Sequence, residues 1–347
     1  MTDNAGASLE HILEAHRGRV DDALAEQLPL RRPEQLYEAS RYILQAGGKR
    51  LRPTVLLLVA EAVTGTAPLS ADYRAFPDLQ SEPIDILSAA VGIEVIQSFT
   101  LIHDDIMDDD DLRRGVPAVH SEYDVETAIL AGDTLYSKAF EFVLASEAPP
   151  ARGVRATERL ARTCTNICEG QAFDIEFESR DDVTVEEYLE MVELKTGVLY
   201  SAATTIPAIL VGAADETVGA LRRYGRSVGK AFQIQDDVLD LTTPSSELGK
   251  TRGSDLVESK QTLISVHARA QGVDVDALVD AEQLEAVEEA TIDAAVEELE
   301  AAGSIEYARE TAADLVESGK AELQVLPAGD ARRALTSVAD YLVDRSY

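Results

Sequence analysis

The sequence predicts an all-α chain folded as a single-domain helical bundle, and three observations carry that expectation. Apolar residues recur at the helical period along almost the whole chain, while alternating strand patterns are nearly missing. No internal repeat or low-complexity linker divides the 347 residues. With 45% hydrophobic and 27% charged residues the composition supports a substantial core. One domain over residues 1–347 is therefore preferred to the two that length alone would allow.

The elements follow in order. Residues 8–28, 35–46 and 51–63 read as three helices divided near Pro33 and Pro53. Gly65, Pro68, Pro77 and Pro83 make 64–83 a loop. Pro83 suits the first position of the next helix with Ser81 near its cap, and about 25 residues from Ile84 to Asp108 then run unbroken for roughly 37 Å. Further helices are expected at 125–146, 154–178, 185–213 with a bend at Pro207, 216–241 and 260–270, with acidic helices over 277–345. Residues 242–259, rich in Gly, Ser and Thr, read as a polar loop.

Charge narrows the function. Lys+Arg 31 against Asp+Glu 64 leaves a formal charge of -33, which argues against nucleic-acid binding because phosphates need a basic face. Lysine supplies only seven of the 31 cations. An acidic, lysine-poor surface suits concentrated salt, where the Debye length falls to about 3 Å at 1 M and self-repulsion is screened. Cys164 and Cys168 cannot build a disulfide framework or a four-ligand zinc site, and are expected to be small buried residues. The N-terminus carries no apolar signal core, and the best apolar run, Val55–Val63, is broken by Glu61. These features lead us to expect a soluble, cytoplasmic protein with no membrane span.

Two aspartate clusters carry the chemistry. In LIHDDIMDDDDLRRG, Asp104 and Asp108 are four residues apart, one turn along a helix face, with Asp105 and Asp109–Asp111 adding to the repulsion. A helix C-terminus opposes such charge, so a cation is expected, and hard oxygen donors favour Mg²⁺. In FQIQDDVLD, Asp236 and Asp240 repeat the spacing beside Asp237, with Gln233 one turn earlier, inside an apolar helix where bare carboxylates would be expensive. Mg²⁺ prefers few carboxylates plus phosphate oxygens and water, so paired clusters imply several ions and a diphosphate substrate. Lys49 and Arg52 follow two glycines, Arg113 and Arg114 follow the first cluster, Lys195 precedes Thr196-Gly197, and Lys250, Arg252 and Lys260 line the later polar loop. Together they fit two diphosphates.

GGKRLRP, LIHDDIMDDDDLRRG, GVPAVH, KTG, FQIQDDVLDL and GKTRGSDL with Lys260-Gln261-Thr262, in that order, resemble the trans-polyprenyl diphosphate synthases, in particular the archaeal geranylgeranyl/farnesyl type. The motifs lie within a core of about 35–270. The resemblance implies an isoprenoid-synthase-type bundle around a central cavity, a homodimer, and addition of isopentenyl diphosphate to allylic diphosphates. It assigns Mg²⁺ and the allylic diphosphate to Asp104, Asp105, Asp108, Asp236, Asp237 and Asp240. Arg113, Lys195, Thr196, Gln233, Lys250 and Lys260 would contact the allylic substrate, with Lys195, Thr196 and Gln233 steadying its cation. Lys49, Arg52 and Arg114 would hold isopentenyl diphosphate. Gln97 stands where many relatives place a histidine, two turns before Asp104, and its amide can donate to a phosphate.

By the same resemblance Phe99, with Thr100 beside it, forms a floor that stops growth at geranylgeranyl diphosphate, with farnesyl diphosphate as intermediate or second product. A terpene cyclase would share the first cluster but needs no second diphosphate site. A non-catalytic partner subunit should have eroded one cluster, and both are intact here.

Overall fold

Helices supply nearly all regular structure in the computed structural model, which describes residues 8–244, 252–279 and 289–343. The chain divides into two compact units. The first gathers the chain up to Cys164, Ala202–Arg222 and Leu323–Val338; the second gathers Thr165–Ser201, Arg223–Glu322 and the chain from Ala339.

The first unit opens with α1 (Leu9–Gln27), capped by Ser8, then α2 (Glu34–Gln45) and α3 (Leu51–Thr64). Residues 51–63 of α3 are almost wholly buried, as its continuous apolar run requires. A two-residue hairpin, β1 (Phe76–Pro77) with β2 (Pro83–Ile84), leads into α4 (Ile86–Met107). Pro83 therefore does not start that helix: it pairs with Pro77, and Asp85 caps α4 by accepting the Ser88 N–H. A carboxylate placed where the orphan donors lie outcompetes the proline signal.

The helix ends where expected, with Asp108 as its C-cap. A second small hairpin, β3 (Leu112–Arg113) with β4 (Val116–Pro117), and the short α5 (Val119–Glu122) precede α6 (Val125–Leu144). Glycines let α4 and α6 meet closely. A Cβ on Gly92 would lie 3.2 Å from the Ala139 carbonyl, and one on Gly132 would strike the His103 ring. By length and composition α4 could cross a bilayer, but 72% of its most apolar window is buried inside the protein. Its apolarity serves the core.

Next comes α7 (Pro150–Phe177), whose Pro150 takes the first helical position. Cys164 is buried on it, whereas Cys168, expected inside, is exposed. The predicted helix 185–213 is interrupted. It comprises α8 (Val185–Val192), a π turn (Glu193–Gly197) and α9 (Val198–Leu210), with Pro207 inside α9. The next helix, α10 (Asp215–Thr242), carries the second cluster.

Residues 245–251, including Lys250, lie outside the described residues. The remaining part of the polar loop contains the short α11 (Ser254–Val257), and α12 (Leu263–Ala270) starts three residues later than the sequence predicts because Thr262 and Ser265 form its capping box. The acidic tail forms α13 (Glu289–Ala301), α14 (Ser304–Glu322) and α15 (Asp330–Val343). Fully buried Phe177, Tyr188, Tyr200 and Tyr224 belong to the second unit.

Candidate active site

In the first unit the GGKRLRP loop is held by its least suspected residue. Arg50 is 4% exposed and adopts a left-handed backbone, φ 48°. Its guanidinium donates to Asp21 on α1 (2.8 Å), Glu94 on α4 (2.6 Å) and the Leu44 carbonyl at the end of α2 (2.5 Å). Three helices thus grip one side chain, and its neighbours Lys49 (exposed) and Arg52 (half-buried) are presented from a fixed loop.

Arg114 closes on the same loop. It donates to the Gly47 and Ile43 carbonyls, and its guanidinium lies where a Cβ on Gly48 would stand, 3.0 Å away. Gly48 is therefore required both by this approach and by its φ of 141°. Burial holds the Arg114 pKa below its ordinary value, and nearby Arg50, Arg113 and Arg52 push the same way against the pull of Glu94. Cations crowded this closely make an anion site. The structure thus brings Arg52 and Arg114 together, with Lys49 on the same loop, while Gln97 stands half-buried on α4.

The first acidic cluster sits at the end of α4. Asp104 and Asp108 are half-buried, whereas Asp105 is fully buried and is met by Arg113 from the β3–β4 hairpin (2.5 Å), which also pairs with Asp110 (2.7 Å). Burial raises the Asp105 pKa despite the opposing pull of Arg113. The guanidinium of Arg113 is therefore engaged with its own cluster. Phe99 packs at 4.8 Å from His103 and 5.2 Å from Tyr136 on α6, and Tyr136 lies 5.2 Å from Phe140. Thr100 turns its hydroxyl to the Gln97 carbonyl at 2.9 Å.

In the second unit the π turn sets Lys195 and Thr196. Two glycines allow it: a Cβ on Gly170 of α7 would lie 2.3 Å from the Lys195 nitrogen, and one on Gly229 of α10 would lie 2.7 Å from Gly197 Cα. Helical residues with side chains could not approach so closely. Widened turns of this kind recur at functional sites because they redirect side chains.

A directed chain of hydrogen bonds results. Tyr188 donates to Asp237 Oδ2 (2.6 Å), Gln233 Nε2 donates to Asp237 Oδ1 (3.0 Å), and Thr196 donates to Gln233 Oε1 (2.9 Å). Asp237 thereby sets which way the Gln233 amide faces, and Gln233 takes up the Thr196 proton. Burial pushes the Asp237 carboxyl well above the usual range, and Asp255 adds to the shift. Asp240 is 1% exposed and accepts from Ser254 (2.8 Å) and the Asp255 N–H (3.2 Å), tying α10 to α11. Asp236 is half-buried. Lys195, Thr196, Gln233, Asp237 and Lys260 line one cavity of about 120 Å³, which Asp236 and Asp240 do not line.

Three residues in this region escaped the sequence reading. Asp174 pairs with Lys195 and lines that cavity. Gln171, one turn earlier on α7, is 7% exposed with both ends of its amide unanswered. Such a group costs about 1–3 kcal/mol per unmet partner and marks a place where a ligand completes the bonding. The signal was an i, i+3 Gln and Asp on one helix face in GQAFD. Tyr188 had no signal, since its partner is 49 positions away.

The acidic residues also fit a hard divalent cation. Asp105 Oδ2 is a buried acceptor without a hydrogen-bond partner, and carboxylate oxygens are the donors Mg²⁺ prefers. Among the described residues no three His, Cys, Asp or Glu side chains already converge as a cage. Such an ion would complete its shell with water and substrate oxygens.

Comparison with known proteins follows the same lines. Residues 33–299 match the family described as polyprenyl synthetase. The chain is 65% identical to a geranylfarnesyl diphosphate synthase of Natronomonas pharaonis, over 98% of each chain. It is 50% identical to a geranylgeranyl diphosphate synthase of Methanosarcina mazei, over 94% of this chain and 95% of the other. Among solved structures, a geranylgeranyl pyrophosphate synthetase of Geoglobus acetivorans superposes with a TM-score of 0.85 at 42% identity, covering 96% of this chain and 100% of that one.

Proposed function

This chain belongs to the polyprenyl synthetase family and is a prenyl diphosphate synthase, and on that premise we propose that it extends allylic diphosphates with isopentenyl diphosphate as far as geranylgeranyl diphosphate. The observation that carries the reading is the crowding of Arg50, Arg52, Arg113 and Arg114 around the glycine loop, which depresses the Arg114 pKa. A diphosphate brings the negative charge that this cluster lacks. Isopentenyl diphosphate is assigned to Lys49, Arg52 and Arg114, with Gln97 as a neutral donor.

The allylic diphosphate is assigned to Lys195 and Lys260, with Gln171 and Asp174 added to the site. Asp104, Asp105, Asp108 and Asp236 would hold Mg²⁺, which when bound neutralises charge on the leaving diphosphate. Asp237 and Asp240 act through the bonds they make to Gln233, Tyr188 and α11. Departure of diphosphate leaves an allylic cation. Thr196 has given its proton to Gln233, so its oxygen can only accept, and this fixed dipole steadies a neighbouring positive charge. The isopentenyl double bond supplies the electron pair for the new carbon–carbon bond. A proton is then lost to the departed diphosphate, restoring a double bond.

Chain length is assigned to the Phe99–Tyr136–Phe140 stack, with Phe99 as its first ring. The Natronomonas relative favours a second reading, one further extension to geranylfarnesyl diphosphate. Exposed Val125, Ile129 and Leu130 on α6 offer an apolar face for a second copy of the chain, supporting a homodimer. Incubation with Mg²⁺, isopentenyl diphosphate and a starter series, followed by product chromatography, tests the function. Absence of elongation in both dilute and multimolar salt would refute it, and the longest product decides between the two lengths.

A further inference from the structure

The first unit also holds a cavity of about 330 Å³ that shares no residue with the motifs. Its lining carries four arginines, Arg155, Arg159 and Arg162 on α7 and Arg222 on α10, against two carboxylates, Glu158 and Asp215. No lysine lines it. The spacing from 155 to 159 to 162 places three guanidiniums along one helical face. Glu158 pairs with Arg162 at 2.7 Å and Asp215 pairs with Arg155, and the lining still keeps an excess of positive charge.

The cavity has a built wall as well as a rim. Arg159 Nε donates at 3.2 Å to Thr205 Oγ1, whose side chain is 1% exposed, and this bond anchors the guanidinium. Ile209 and Val218, both buried, form an apolar surface behind it.

A concave patch of this sign runs against the rest of the chain, whose formal charge is -33. Salt adaptation calls for exposed carboxylates, and it does not explain four arginines drawn together around a hollow. Guanidinium groups match phosphate oxygens in pairs of parallel hydrogen bonds and are less strongly hydrated than ammonium, so they hold phosphate better in concentrated salt.

We propose that this cavity is a second anion site, which binds a phosphate or diphosphate group between Arg155, Arg159, Arg162 and Arg222. The site is independent of the assigned reaction. The group it takes is either a free diphosphate or the headgroup of an anionic lipid, since both present the same oxygens.

The test uses the full chain at the lowest salt that preserves its helix content. Sodium diphosphate is titrated calorimetrically without Mg²⁺ into the wild type and into Arg155→Ala/Arg162→Ala/Arg222→Gln. In parallel, both proteins are sedimented with phosphatidylglycerol or phosphatidylcholine vesicles. The variant is expected to lose one diphosphate binding event per chain, or to bind at least tenfold more weakly, with kcat and KM for isopentenyl diphosphate unchanged. Loss of phosphatidylglycerol binding alone assigns the site to a lipid headgroup. Equal diphosphate and vesicle binding by the two proteins overturns the proposal. Arg162→Ala alone, at a side chain 72% exposed, keeps the test available if the triple variant loses helix content.

Discussion

Asp104 and Asp108 stand at the C-terminal end of α4, whereas Asp236 and Asp240 occupy the interior of α10, though both pairs have the same i, i+4 spacing. At the end of α4 the chain turns at once into a hairpin that returns Arg113 to Asp105. Inside α10 relief comes from neutral partners instead: Tyr188 and Gln233 bond Asp237, while Ser254 and the Asp255 N–H bond Asp240. Spacing therefore says which carboxylates share a face. Position along the helix says how their charge is met, by a returning cation in one unit and by burial with hydrogen bonds in the other.

The largest effect should come from the exposed end of this comparison. Asp104→Ala is expected to cut turnover about a hundredfold to a thousandfold with circular dichroism unchanged, and chelation of divalent ions should do the same. Asp240→Ala should instead lower the unfolding midpoint, because it frees α11. If Asp240→Ala cuts turnover as deeply at unchanged stability, the contrast between the clusters is lost.

Arg50→Ala comes next. It strands Glu94, which is 3% exposed, and should cost about 3 kcal/mol in denaturant unfolding while raising KM for isopentenyl diphosphate more than it lowers kcat. Tyr188→Phe removes one donor to Asp237 and should lower kcat roughly tenfold, in line with about 1–3 kcal/mol for an unmet buried acceptor. An unchanged rate would mean that the orientation of Gln233 does not depend on this bond.

Phe99→Ser should move the product distribution to longer chains with little change in total turnover, and Tyr136→Ala combined with it should move the distribution further. An identical chromatogram would place the floor elsewhere. The smallest effect concerns the shell: added KCl should raise the melting temperature by a few degrees per molar step by screening a charge of -33. A maximum in dilute buffer would contradict the salt-adapted reading.

Much of the fold was legible because helical periodicity and caps are written within a few neighbouring positions. The end of α4 at Asp108 and the extent of α6 follow from such signals. The start of α4 did not, since Asp85 rather than Pro83 supplies the cap. The π turn was equally hidden. It depends on Gly170 and Gly229, residues that in sequence look like weak points of two other helices.

The sequence by itself determined the helical class, the acidic surface and the order of motifs that identify the family, because composition and short spacings are local properties. Only the tertiary structure decided that Arg50 anchors the cation loop, that Asp237 orients Gln233 and through it Thr196, and that Gln171 is left with an unanswered amide. Each of those facts concerns groups far apart in the chain, such as Arg50 and Glu94, which are 44 positions apart. Hydrogen bonds depend on distance and direction in space, and the chain order of their partners carries neither.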